Sequence, residues 1–260
     1  MTSFSTVGPR AESSGVVGRV AALLYGLSAY GAFVGVFGYA MGFVGNWFVP
    51  KSIDSGTAGP LVSSLLIDAG LLSIFVLQHT IMARPGLKRW FTRVVPKSVE
   101  RSTFVMAASA ALAVVLWQWR PAPGVVWEAT SPALVWALRS VSLLGYAVVL
   151  TSSMLISHAD LFGLRQTWLA FVNRPYEPVG FRLVGFYKLV RHPLMLGFLL
   201  AFWATPVMTA GHLFFSVMVS GYIALGVWFE ERDLIAEHGE KYLSYKRRVR
   251  GIVPIPKAAA

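Results

Sequence analysis

The sequence predicts an all-α fold, a polytopic integral membrane helical bundle of about six apolar segments with both termini in the cytoplasm. Three observations carry that reading. Of the 260 residues, 55% are hydrophobic and 13% charged, against about 25% charged in an ordinary soluble domain. Several apolar runs reach the roughly 20 residues that a bilayer crossing requires. The lysines and arginines alternate between successive connections, as cytoplasmic and outer loops do.

Residues 1–17 read as a disordered N-terminal tail. Met1 to Gly15 are polar and Ser/Thr-rich, and they lack the charged, apolar and small-residue regions of a signal peptide. The candidate apolar spans then fall at 18–46, 60–83, 102–119, 132–157, 193–209 and 212–230, and for 193–230 a full crossing and a hairpin tucked into one side both stay open. Arg10 and Arg19 precede or open the first span, and Lys51 follows it. The next connection is rich in cations (Arg84, Lys88, Arg89, Arg93, Lys97, Arg101), the one after it has Arg120, and the one before the fifth span has Arg165, Arg174, Arg182, Lys188 and Arg191. The turn at 209–212 has none, and the C-terminal tail is again basic. This pattern puts the even connections and both termini inside. It also accounts for the net charge of +11 without nucleic acid as a partner; the partner that the composition implies is the lipid bilayer. With no cysteine in the chain, disulfides, thiolate metal sites and a cysteine nucleophile are excluded.

Along the first span, Gly31, Gly35, Gly38, Gly42 and Gly45 form a small-residue stripe of the kind that lets helices approach closely. The second span carries Asp68, for which Arg139 of the fourth span is the expected partner. Each lies about eight positions from the outer end of its span, hence at similar depth. His79 closes the second span at the cytoplasmic end. The basic connection 84–101 includes Trp90 and Phe91 and reads as an interfacial segment against anionic headgroups. Trp117 and Trp119 form an aromatic belt on the opposite face. After the fourth span come His158, Asp160, Arg165 and Gln166, and then an aromatic but polar stretch, 166–191, that reads equally as a lid or a plain connection.

The last part of the chain, 186–256, holds the chemistry. Pro193 suits the first turn of a helix, and the amides and dipole of that turn favour an anionic group. Arg191 and His192 stand beside it. Glu230 and Glu231 return at the foot of the next apolar segment, where one of them could hold an ammonium or ribose hydroxyls. Such a set suits a ligand with both a carboxylate and an ammonium. The same residues read, with equal weight, as interfacial anchors and topology signals. No metal site is expected.

The block Arg191-His192-Pro193, Gly197, Glu230-Glu231, Leu234, Gly239, Tyr242, Tyr245, Pro254 resembles the C-terminal signature of the isoprenylcysteine carboxyl methyltransferase and phospholipid methyltransferase superfamily. A narrower resemblance is carried by Gln78 to Pro85, Glu100 to Thr103, Trp117 to Pro121, Asp160 to Gln166 and Pro206 to His212. Together these are similar to the membrane methanethiol S-methyltransferases, of the group that also includes NnrU-like proteins. The resemblance implies one membrane methyltransferase domain over 18–256, with 186–256 its cofactor-binding part, in a bacterial inner membrane. It implies S-adenosyl-L-methionine as cofactor, with S-adenosyl-L-homocysteine as product, and Arg191, His192, Gly197, Glu230, Glu231 and Tyr245 around it. The implied reaction methylates a small volatile thiol, methanethiol, to dimethyl sulfide. A base is needed to form the thiolate; His79 is the first candidate, followed by His158 or a Tyr187–Arg191 pair. Three alternatives stay open: a prenylated carboxylate or a lipid amine as acceptor, a membrane reductase that uses the Arg-His-Pro turn for NADPH phosphate, and an NnrU-like accessory protein without catalysis.

Overall fold

The computed structural model describes residues 15–180 and 182–254. The expected tail therefore lies outside the described residues up to residue 14, and Val16 and Val17 already belong to the first helix. In chain order the elements are α1 (Val16–Gly45), α2 (Leu61–Ala83), α3 (Pro85–Phe91), α4 (Lys97–Gln118), β1 (Val125–Glu128), α5 (Pro132–Ile156), α6 (His158–Leu161), α7 (Leu164–Phe171), α8 (Pro193–Trp203), β2 (Val207–Thr209), α9 (Ala210–His238) and α10 (Glu240–Arg248). A 3-10 turn at Gly185–Lys188 precedes α8. Among the described residues, α1, α2, α4, α5 and α9 are long and apolar enough to cross a membrane. The chain is a multi-pass membrane helical protein.

The fifth apolar segment, 193–209, for which the sequence leaves both a full crossing and a tucked hairpin open, forms a short helix and then a strand rather than one long helix. Its helix α8 has 11 residues, a length of about 16 Å at 1.5 Å per residue, against a hydrocarbon core of about 30 Å. Pro206 explains the stop: it has no N–H to donate and disfavours helical backbone at Thr205 before it. The chain instead enters β2, which pairs antiparallel with β1. Thr209 then caps α9, its hydroxyl accepting from the His212 amide at 3.1 Å.

The described residues form two compact units. One draws on residues 15–37, 78–111 and 157–180, the other on residues 38–77, 112–156 and 182–254. In the first, two glycines allow close approach. A Cβ at Gly26 would lie 2.5 Å from Thr167 Oγ1, and one at Gly163, where φ is +83°, would lie 2.7 Å from the Ser102 amide nitrogen. Arg101 Nε donates to the Leu161 carbonyl at 2.6 Å, and Lys88 pairs with Glu100 at 3.1 Å. Asp160 accepts from Tyr176 at 3.0 Å and from Arg165 at 3.1 Å. These contacts make 157–180 an integral part of this unit.

In the second unit, α5 and α8 cross at a pair of glycines. A Cβ at Gly145 would come within 2.5 Å of the Gly197 carbonyl oxygen, and one at Gly197 within 2.6 Å of that of Gly145. Ser142 adds a hydroxyl bond to the Ala201 carbonyl at 3.0 Å. The α1 stripe works differently from its expectation. At Gly31, Gly35 and Gly38 a Cβ would meet no atom of the described residues within 4 Å, whereas Gly42 and Gly45 make room for the turn at Trp47.

The expected Asp68–Arg139 pair is absent among the described residues. Asp68 Oδ1 accepts from the Arg120 backbone amide at 2.9 Å, and the Arg139 guanidinium lies over the Trp136 ring, 5.6 Å from its centroid. Equal depth fixes height along two helices but not the direction in which each side chain points.

Candidate active site

The residues that lead into α8 are held from behind by the C-terminal strand of chain. Arg191 N–H donates to the Arg250 carbonyl at 2.8 Å and His192 N–H to that of Gly251 at 3.0 Å; Val190 and Arg250 form a parallel bridge. His192 is the N-cap of α8 and Pro193 occupies its first turn, the position where a missing N–H costs nothing. The Arg-His-Pro order therefore places a buried imidazole and a guanidinium at a helix start whose backbone is already fixed.

Arg191 points back into the protein. Its Nε lies 2.7 Å and its Nη2 2.5 Å from Glu231 Oε1. Its Nη1 donates to the carbonyls of Val249 and Lys246. The guanidinium was expected to meet a ligand carboxylate, but it is held instead by this internal network. Glu231 is the centre of that network: Lys246 Nζ lies 2.6 Å from its Oε2, and His192 Nε2 3.2 Å from its Oε1. The Glu231 side chain is 10% exposed, whereas that of Glu230, one residue earlier on α9, is 50% exposed. His192 Nδ1 stands 3.3 Å from Glu230 Oε2. Each ring nitrogen thus faces a carboxylate, and a neutral imidazole has an N–H for one of them only.

Three tyrosines border this hub. Tyr245 donates to the Tyr187 carbonyl at 2.5 Å, and Tyr187 donates to that of Ser152 at 3.5 Å. Tyr242, 1% exposed, meets Tyr245 edge to face with centroids 5.8 Å apart. Burial pushes the Tyr245 phenol up to about 12; the Arg191 charge opposes that rise and Glu231 adds to it. Burial also raises the Tyr187 phenol, with the Glu230 charge adding to it. Tyr187 therefore keeps its proton near neutral pH and can act as a hydrogen-bond donor rather than as a base.

The structure thus brings Tyr187, Arg191, His192, Glu230, Glu231 and Tyr245 together within the second unit. Gly197, also expected at the cofactor, has its Cβ position filled by the Gly145 carbonyl and Val149, which makes it a packing glycine. His79 belongs to the first unit, where its ring centroid is 4.9 Å from that of Phe104. His158, in the same unit, has Nε2 2.9 Å from the Tyr30 hydroxyl, and burial lowers its pKa. Two members of the hub do not stand out in the sequence. Lys246 reads as one more cation in a basic tail; its place one residue after Tyr245, on the buried Tyr242–Tyr245 helix, is the available signal. The carbonyls of Val249 to Gly251 carry no signal in side chains at all.

No family model matches the chain, and no solved structure matches it. Among curated proteins it is 48% identical over 238 residues to "Methanethiol S-methyltransferase" of Mycobacterium tuberculosis, covering 92% of this chain and 98% of that protein. It is 50% identical over 236 residues to "Methanethiol S-methyltransferase 2" of Bradyrhizobium diazoefficiens, covering 91% of each. A more distant likeness, 26% over 178 residues, links it to "Nurim" of Bos taurus, covering 65% of this chain and 68% of that protein. With such identity over nearly its whole length, this chain belongs to the methanethiol S-methyltransferase family.

Proposed function

We propose that this protein transfers a methyl group from S-adenosyl-L-methionine to the sulfur of methanethiol, forming dimethyl sulfide and S-adenosyl-L-homocysteine. The observation that carries the reading is the hub around Glu231, set in a chain that matches proteins named for this reaction over 92% of its length. The basic connections beside the α8 and α10 segments favour the cytoplasmic face of a bacterial inner membrane.

The donor set fits such a cofactor. The half-exposed carboxylate of Glu230 suits an α-ammonium, and the start of α8, where the dipole is positive, suits an α-carboxylate. Arg191 and Glu231 keep that arrangement in shape from behind. When bound, S-adenosyl-L-methionine supplies a methyl group already activated by its sulfonium. The protein's task is then to position the acceptor and remove its proton. An alkyl thiol near neutral pH is mostly protonated, and the thiolate is the nucleophile. His79 is the proposed base, with His158 as the alternative. As the S–H bond breaks, its proton passes to the imidazole and its electron pair to sulfur. The new carbon–sulfur bond forms in line as the old one breaks. Tyr187, protonated, is a hydrogen-bond donor whose hydroxyl rests on the Ser152 carbonyl at 3.5 Å.

A headspace assay tests this: purified protein, S-adenosyl-L-methionine and methanethiol, with dimethyl sulfide followed by gas chromatography. Glu230→Gln and Arg191→Ala variants run beside wild type, and S-adenosyl-L-homocysteine binding is followed by calorimetry. Wild type is expected to produce dimethyl sulfide and both variants to lose it. Binding without product would reassign the acceptor, and neither binding nor product would end the methyltransferase reading.

A further inference from the structure

We propose that Lys246 is a positioning residue of the donor site, and that the two adjacent glutamates divide their work: Glu231 anchors the site internally and Glu230 meets the ligand. The inference rests on the methyl-donor reading above. Both oxygens of Glu231 are already engaged by three groups from two separate segments: Arg191 and His192 before and at the start of α8 take Oε1, and Lys246 on α10 takes Oε2. A carboxylate so enclosed and 10% exposed offers no edge to an incoming ammonium. Glu230 is turned outward and touches the same imidazole at 3.3 Å.

Lys246 is fixed at both ends. Its carbonyl accepts from Arg191 Nη1 at 3.3 Å while its own ammonium neutralises Glu231. Without that charge, Glu231 would keep Arg191 as its one permanent cation and would draw the His192 N–H or a protonated imidazole fully to Oε1. The imidazole would then turn away from Glu230, and the carboxylate that receives the ligand would lose its support. Lys246 acts at one remove, through Glu231 and His192. The side chain is 41% exposed, so its removal leaves the apolar packing of Tyr242 and Tyr245 in place.

The test uses the full-length protein in detergent. Wild type, Lys246→Met, Lys246→Arg, Glu230→Gln and Glu231→Gln are compared for S-adenosyl-L-homocysteine affinity, for the separate KM values of S-adenosyl-L-methionine and methanethiol, and for melting temperature. Lys246→Met is expected to weaken S-adenosyl-L-homocysteine binding and raise the donor KM by tenfold or more, leaving the methanethiol KM unchanged. Lys246→Arg restores most of the loss. Glu230→Gln loses binding with an unchanged melting temperature, whereas Glu231→Gln lowers both. A Lys246→Met protein with wild-type donor KM, or one that loses only its folded fraction, overturns the proposal, as does a Glu230→Gln protein that binds normally. Wild type that binds no S-adenosyl-L-homocysteine overturns the donor reading itself.

Discussion

Two carboxylates lie buried in the second unit, and their surroundings differ in kind. Glu231 is held by the guanidinium of Arg191, the ammonium of Lys246 and the imidazole of His192. Asp68, 0% exposed, accepts one backbone N–H, that of Arg120, and its Oδ2 has no hydrogen-bond partner among the described residues. Around Asp68 the cations act at longer range: burial and the Arg120 charge hold the Lys51 ammonium below its usual range, and Asp68 opposes them. A buried charge with full partners is costly to disturb, because removing one partner strands the others. A buried carboxylate with a single neutral donor tolerates neutralisation. The first arrangement fixes side chains in a shape that a ligand can use; the second ties a loop to a helix.

The largest expected effect tests that difference directly. Arg191→Ala leaves Glu231 with one full cation and leaves two backbone carbonyls without their donor, and breaking a buried pair in this way costs about 3–5 kcal/mol. Melting followed with the headspace assay should show a marked loss of stability together with loss of dimethyl sulfide. A variant that melts like wild type would mean the hub is looser than its distances imply. The next effect concerns the helix on which the hub stands. Gly197→Ala drives a methyl toward the Gly145 carbonyl at 2.6 Å, and such overpacking costs about 1–3 kcal/mol. Because the crossing sits within α8 rather than at its start, stability should fall more than S-adenosyl-L-homocysteine affinity. An affinity loss with no stability loss would return Gly197 to the ligand.

The contrast also marks what the sequence could disclose. The five long helices are legible because apolar runs and cation alternation report directly on burial in lipid. The hub is partly legible: Arg191, His192, Glu230 and Glu231 stand in two short clusters, and a helix-opening proline between them gives the direction. That Arg191 faces inward is not legible, since its partners include the carbonyls of Lys246 and Val249, which any residue supplies. Lys246 is hidden among the neighbouring Arg247 and Arg248. The short α8 escapes a hydropathy reading because the apolar run continues past Trp203, while Pro206 ends the helix locally. Depth alone pairs Asp68 with the wrong partner, because a single backbone amide leaves no trace in residue identities.

A smaller effect is expected at the rim of the hub. Tyr245→Phe removes the hydroxyl that donates to the Tyr187 carbonyl, for about 1 kcal/mol. The sign of its pH dependence follows from the raised phenol. With a folded pKa of about 12 above the usual value of about 10, its contribution is full below pH about 10 and is lost as pH rises toward 12. Alkaline melting curves of wild type should therefore fall toward those of Tyr245→Phe, and ultraviolet titration of the phenolate band should show one fewer late-ionising phenol in the variant. Convergence already below pH about 9, short of the usual phenol range, would show that the hydroxyl is not buried against Tyr187.

The smallest expected effect is a coupling of zero, and it is the sharpest test of how Asp68 is held. In a double-mutant cycle of Asp68→Asn and Arg139→Met, the interaction energy should lie within about 0.5 kcal/mol of nothing, as for sites that share no partner. Asparagine keeps a carbonyl oxygen to accept the Arg120 amide, so the single Asp68→Asn change should itself be mild. It removes the buried charge and places an N–H₂ where Oδ2 had no partner. Arg139→Met should cost the contact of the guanidinium with Trp136, about 1 kcal/mol, and that cost should be the same when Asp68→Asn is already present. A coupling above about 1 kcal/mol, the range of contacting pairs, would mean that Asp68 and Arg139 meet in the membrane after all. Asp68 would then join Glu231 as a carboxylate held by side chains, and the distinction between the two acids would fall.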